Sequence, residues 1–202
     1  MSQRKSIVVV SVAGAVAFAA GLVASPSFFQ PDQPERDEAA MAWMQPGEHH
    51  KALEPLIGEW EGTVKMWMTP GAEPMESVGS VTREWAMDGR FVIEHVTGSM
   101  EGSDDEFRGM GIIGYNTVEH RYESVWIENM ATHMSFMNGE MSPDGKTMTF
   151  EGDVLDPMTG QRVHSRYVSD MSDPDRHTSV GYGTGPDGKE FKSFEGVMER
   201  KH

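Results

Sequence analysis

The chain has 202 residues, no cysteine, and 32 acidic against 17 basic residues, for a formal net charge of -15. Once a targeting segment and a linker are set aside, this length suits one sizeable hydrophobic core. The lack of cysteine excludes a disulfide framework, a thiolate metal site, a cysteine nucleophile and the acylated cysteine of a bacterial lipoprotein. Phosphate backbones and anionic lipid surfaces repel so acidic a chain, so nucleic acid is not an expected partner.

Arg4 and Lys5 precede a 17-residue apolar run, Ile7 to Val23, followed by the small residues Ala24 and Ser25. This is the pattern of an export signal, either cleaved or kept as an N-terminal membrane anchor, since the run is at the short edge of what spans a bilayer. Residues 1–24 are therefore read as signal peptide or anchor, and the rest is expected outside the cytoplasm, periplasmic, secreted or tethered. Cleavage after Ala24 removes Arg4 and Lys5 and takes the charge from -15 to -17.

Residues 25–45 read as a flexible linker, with Pro26, Pro31 and Pro34 and a charge cluster from Glu35 to Glu38. The apolar patch Met41 to Met44 is a candidate first contact with the domain that follows, residues 46–202. In EHHKALEPLIG, Leu53, Leu56 and Ile57 can share one helical face. Pro55 disfavours helix at Glu54, which predicts a helix of about two turns ending there. His49 and His50 point about 100° apart on a helix and have no second ligand pair at a useful spacing, so they are read as solvent-exposed rather than as a metal site.

From residue 59 the texture becomes short apolar runs of period two broken by turn residues. Ten strands are predicted, over 59–69, 77–87, 90–98, 106–115, 121–129, 132–140, 146–154, 162–170, 177–183 and 189–200. Asp88-Gly89, Pro143-Asp144-Gly145 and Pro186-Asp187-Gly188 are turn signals. Links this short pair consecutive strands antiparallel, and closing the sheet removes its two edges. The predicted fold is all-β: a single antiparallel up-and-down barrel of about ten strands with a short N-terminal helix. A barrel of that size tends to enclose a cavity. Gly98, Gly109 and Gly111 are places where a bulge could shift the alternation.

GEWEG, at Gly58 to Gly62, resembles the Gly-x-Trp signature on the first strand of the calycin superfamily, which includes lipocalins, fatty-acid-binding proteins and nitrobindin-like haem proteins. In lipocalins an arginine from the end of the barrel packs across that tryptophan, and the resemblance gives Arg200, in VMERK, that role over Trp60. PGAEPMES, REWAMDGRFV, GMGIIGYN, SVWIENMATHM, DPMTGQRV and TGPDGKEFKSFEGVMERK resemble segments of a bacterial family of unknown function, DUF1579, grouped with the calycins, over nearly all of residues 45–201. That resemblance implies the barrel and brings no catalytic residues with it.

If Trp60 faces inward, so do Val64, Met66 and Met68, and 17 methionines suit either ordinary core filling or the lining of an adaptable pocket. Polar side chains on otherwise apolar faces are the candidate binding groups. By alternation Arg83 accompanies Trp85, His95 accompanies Phe91 and Ile93, Glu128 accompanies Trp126, and Glu195 accompanies Phe191 and Val197. Arg83 paired with Glu128 or Glu195 is expected to be structural or to orient a ligand head group.

These residues describe an exported, lipocalin-like binding protein for a small apolar or amphipathic molecule, with no cofactor or metal expected. Three other chemistries have weaker support in the sequence. Cu(I) would use His133, Met134, Met137 and Met141, although on a strand Met134 faces away from the other two methionines. Haem would use His95 or His164. A hydrolase or isomerase would use a pair such as His95 with Glu128 or His164 with Glu195.

Overall fold

The computed structural model describes residues 41, 43–100, 105–156 and 159–202, so the residues read above as signal or anchor, and most of those read as linker, lie outside the described residues. One helical turn, α1 (Glu48–Lys51), is followed by a 3-10 turn (Glu54–Leu56) and ten strands. These are β1 (Gly58–Met66), β2 (Met75–Ala86), β3 (Phe91–Met100), β4 (Glu106–Asn116), β5 (Arg121–Glu128), β6 (Ser135–Met141), β7 (Thr147–Leu155), β8 (Arg162–Asp173), β9 (Arg176–Thr184) and β10 (Glu190–Arg200). Every strand pairs antiparallel with its sequence neighbours, and β1 pairs with β10 to close the barrel. The predicted strand ends fall within three residues of the observed ones. The links are a little longer than the turn signals implied. Ala86 pairs with Phe91, so Asp88-Gly89 sits inside a four-residue connection in which Met87 and Asp88 also take positive φ.

The N-terminal segment plugs one end of this barrel. Leu53 and Leu56 are 0% and 6% exposed and pack with Val92, Tyr122, Met148 and Met171. Three strand side chains fasten the plug by donating hydrogen bonds to it. Trp60 Nε1 donates to the Leu56 carbonyl at 3.0 Å, Trp85 Nε1 to the Glu54 carboxylate at 2.9 Å, and the Tyr122 hydroxyl to the His49 carbonyl at 2.9 Å. The helix is shorter than predicted, because Pro55 is accommodated inside the 3-10 turn instead of ending a longer α-helix. His50 is buried, contrary to the sequence expectation. Its Nδ1 accepts the Gly47 N–H at 3.0 Å, its ring lies edge-on to Tyr115, and burial lowers its pKa. His49 is exposed but stacks on Tyr115 at 4.2 Å. The segment ahead of the plug touches the barrel through its backbone. The Trp43 carbonyl accepts from Thr117 Oγ1 and the Met44 carbonyl from Arg90, while both side chains remain more than half exposed.

Arg200 locks this end. Its guanidinium lies 4.1 Å from the centre of the Trp60 ring and donates to the carbonyls of Pro55, Ile57 and Pro174. One side chain thus ties the last strand to the first, to the plug and to the β8–β9 turn. Replacing Arg200 with Ala should lower the unfolding free energy by about 2–4 kcal/mol in urea denaturation, the worth of charge-assisted hydrogen bonds plus a cation–π contact. Arg200→Lys should recover only part of this, since one ammonium cannot reach three separate carbonyls. A loss under about 0.5 kcal/mol, the range of an ordinary surface substitution, would show that the leucine packing holds the end unaided.

Candidate functional site

Away from the plug the interior changes character. Arg83 on β2 and Glu94 on β3 are register partners on the inner face and form an ion pair, Arg83 Nε to Glu94 Oε2, yet each keeps 15% of its side-chain surface accessible. The fully buried apolar side chains gather at the plug, with Trp60, Leu53 and Val92 the largest. The inward Trp126 and Met137 are only partly buried although a closed wall surrounds them, whereas Phe150, also partly accessible, packs against the plug core. A solid core would not leave side chains so placed in reach of solvent. The barrel is therefore packed at one end and hollow toward the other.

Glycines let large rings line this hollow without filling it. A Cβ at Gly109 would collide with the Trp126 ring, one at Gly139 with Phe150, and one at Gly181 with Tyr167 and Phe194. Each ring lies over the bare backbone of the neighbouring strand, as registers such as Gly111↔Trp126, Gly139↔Phe150 and Tyr167↔Gly181 require. Trp126 covers Gly109 and approaches Gly111, and its indole N–H donates to Glu128 Oε2 at 3.0 Å. Phe107 stacks beside it, with ring centres 6.4 Å apart.

Nearer the plug the wall carries polar groups that the sequence reading missed. His177 on β9 is 5% exposed, lies 4.2 Å from the Trp60 ring, and has a buried Nε2 with no hydrogen-bond partner among the described residues. Burial first, then the positive charges of Arg83 and Arg200, push its pKa down to about 4, against smaller opposing effects of Asp173 and Asp170. Burial pushes the Tyr167 phenol well above its ordinary range, with Glu94 adding to the shift and Arg83 opposing it. Ser169 and Ser179 share a hydrogen bond of 3.0 Å.

The proposed binding residues divide between several places. Met66, Arg83, Trp126 and Glu128 face inward, Met66 pairing with Phe194 and Met75. Trp85 also faces inward but serves the plug. Met68 lies beyond the end of β1 and is 51% exposed at the rim. His95 stands on the outer face: β3 carries Phe91 and Ile93 outside and Val92, Glu94 and Val96 inside, so apolarity alone did not mark the inner face. Glu195 is outside as well, bonded to Lys192 at 2.6 Å. A register shift between Lys192 and Phe194 turns both Phe191 and Phe194 toward the inner glycines and sends Glu195 outward. The other register shift lies between Asp170 and Asp173, whereas Gly98, Gly109 and Gly111 keep their registers unbroken. The partner of Arg83 is Glu94 rather than Glu128 or Glu195.

The alternative chemistries do not assemble as their residues were read. Met137 and Met141 face inward from β6, but Met134 precedes the strand and is 57% exposed. His95 on the outer face of β3 does not meet the inward Glu128, and His164, on the outer face of β8, lies opposite Asp153 at 3.5 Å while Glu195 is bonded to Lys192. Among the described residues no three His, Asp or Glu side chains converge on a metal position. A groove of about 740 Å³ runs along the outer wall, lined by Glu61, Thr63, Val78, Ser80, Thr97 and Glu199 among others. It is open along its length and lined mainly by short polar side chains and glycine backbone, so an apolar molecule lying in it would stay largely wet.

The His177 shift has a pH consequence. The unfolded chain binds the proton near pH 6.5 and the folded one only near 4, so His177 leaves stability undiminished above 6.5, lowers it progressively between 6.5 and 4, and exerts its full destabilising effect below 4. The whole effect is about 3 kcal/mol at 1.36 kcal/mol per pH unit. His177→Gln should flatten the pH dependence of the urea midpoint in this window. An unchanged slope would show that His177 is protonated as readily in the folded protein as in the unfolded chain.

The fold is shared with two solved structures. That of Rv2717c from M. tuberculosis superposes with a TM-score of 0.59 at 16% identity, covering 78% of this chain and 100% of the other. That of the S-type phycobiliprotein lyase CPES from Guillardia theta gives 0.57 at 12% identity, covering 85% and 99%. At these identities the likeness is one of fold. No curated protein matches the chain. The profile described as "Protein of unknown function (DUF1579)" matches residues 45–200, and the chain belongs to that family.

Proposed function

We propose that this protein is an exported, lipocalin-like binding protein that holds a small, largely apolar molecule inside its barrel. The observation that carries the reading is the change from a packed end to a hollow one, with ring faces and methionines lining the space and partly accessible inner side chains around it. Met68, Met75, Met130 and Met134 are 51%, 39%, 63% and 57% exposed in or beside the links at the open end, and so give an apolar molecule a soft surface to cross on its way in. Export rests on the sequence of residues 1–24. A phycobiliprotein lyase built on a similar barrel is in keeping with a role centred on a small molecule, without naming one for this chain.

The test is titration with a neutral apolar fluorophore, N-phenyl-1-naphthylamine, followed by displacement with decan-1-ol. Met137 faces the hollow, so Met137→Trp should raise the dissociation constant at least about tenfold, equivalent to 1.4 kcal/mol, while thermal unfolding changes little. Unfolding of this variant by about 1–3 kcal/mol, with no binding by the parent protein, would identify a solidly packed barrel instead. Fractionation of the native host should place the mature chain outside the cytoplasm, and recovery in the cytosol would remove the export part of the proposal.

A further inference from the structure

The charges inside the barrel identify the kind of head group it receives. Along the inner face, from the plug to the mouth, the described basic and acidic side chains are Arg200 at the lock, His177, Arg83, Glu94 and Glu128. Arg83 and Glu94 neutralise each other as direct register partners. His177 is held uncharged at neutral pH. Glu128, the last residue of β5 and so close to the open end, faces no cation among the described residues, and it accepts a hydrogen bond from the neutral indole of Trp126. Arg108 on the adjoining strand points the other way, because Gly109 occupies the inner position next to it. Its side chain is 67% exposed, with Nε 3.9 Å from the Glu106 carboxylate. Lys192, near the same end, is already taken by Glu195 at 2.6 Å and by the Trp67 ring at 4.3 Å.

Beside this carboxylate lies an indole held flat. Gly109 and Gly111 provide a bare backbone bed on which the Trp126 ring lies, and the ring remains partly accessible. Phe107 extends the aromatic surface. The face of an indole is the best of the side-chain π systems for a cation, and a carboxylate bonded to the indole N–H adds a full negative charge next to it. The chain's formal charge of -15 draws cations toward the mouth and turns anions away.

We propose that the bound molecule is an amphiphilic cation, whose amine or quaternary ammonium group sits between Glu128 and the faces of Trp126 and Phe107 while its apolar body extends toward the plug. This rests on the barrel-binding reading and specifies its ligand class. The apolar part lies along Met66, Met137 and Phe150, and the charged part stays near the mouth, where it loses least water.

The test compares three ten-carbon probes on the purified full chain by isothermal titration calorimetry: decyltrimethylammonium, decan-1-ol and decanoate. Decyltrimethylammonium should bind at least about tenfold more tightly than decan-1-ol, with decanoate weakest, and the preference should shrink as salt is added. Glu128→Gln keeps an acceptor for the Trp126 N–H and removes the charge, so the ammonium-to-alcohol ratio should fall to about one while the thermal midpoint holds. Met137→Trp should weaken binding of both probes, which places the tail in the barrel. Equal binding of ammonium and alcohol, tightest binding of decanoate, or an unchanged ratio in Glu128→Gln would overturn the cationic head group and leave the barrel-binding reading standing. Failure of all three probes to bind would remove that reading, and this inference with it.

Discussion

The structure depends on the fit of a flat ring over a glycine on the next strand. A closed wall of ten strands has too much interior for its own side chains to fill, and the usual remedy is to let branched side chains meet in the middle. Here Trp126 lies over Gly109, Phe150 over Gly139, and Tyr167 with Phe194 over Gly181. Each ring gains its contact with backbone instead of with a ring across the barrel. Where such pairs give way to interlocking side chains, at Val92, Tyr122, Met148 and Met171, Leu53 and Leu56 complete a dense core. Packed and hollow halves thus follow from which inner positions are glycine.

Charge is graded along the same axis. Bringing an arginine or a glutamate into a partly enclosed space costs several kcal/mol unless it is paired, and Arg83 and Glu94 meet that requirement by facing each other across one register pair. Near the plug, His177 meets it by staying neutral. Only toward the mouth, where water remains within reach, does the wall carry a carboxylate whose bonded partner is a neutral indole. Depth and ionisation are therefore matched: the deeper the group, the more completely its charge is compensated or suppressed.

Strand number, order and closure were legible because they depend on alternation and short links, which are local properties. The facing of individual residues was less so, and for a physical reason. On β9 the inner row is His177, Ser179, Gly181 and Gly183, while Val180 and Tyr182 stand outside. In a hollow barrel the inner positions that seat rings from neighbouring strands are small, so the rule that apolar residues point inward selects the wrong row. Tyr182 is half-buried outside because Arg166 covers its ring at 4.2 Å. The same inversion hid Glu94 behind the outward Phe91 and Ile93, and the bulge at Ser193, which no composition signal announced, reversed Glu195. What did carry information was the glycine spacing itself. Gly109 and Gly111, taken from the sequence as possible bulges, keep the register and instead leave bare backbone that Trp126, at the register position on β5, covers.

The bonds that hold the fold gather at the end opposite the mouth. At the plug Arg200 braces three carbonyls and Trp60, and three further donors fasten the helical segment, so opening there would break a cooperative set of bonds together with the leucine packing. At the mouth the strands end in links bearing exposed methionines, and the wall just inside is made of rings resting on backbone. Local opening draws on the least-bonded part of a fold, and in this barrel that part is the end where the hollow begins. On the binding reading proposed above, a molecule would enter and leave through the mouth without disturbing the bonds that hold the barrel closed. This is why residues that hold the fold, such as Arg200, and residues that face the hollow, such as Trp126 and Glu128, can be altered separately.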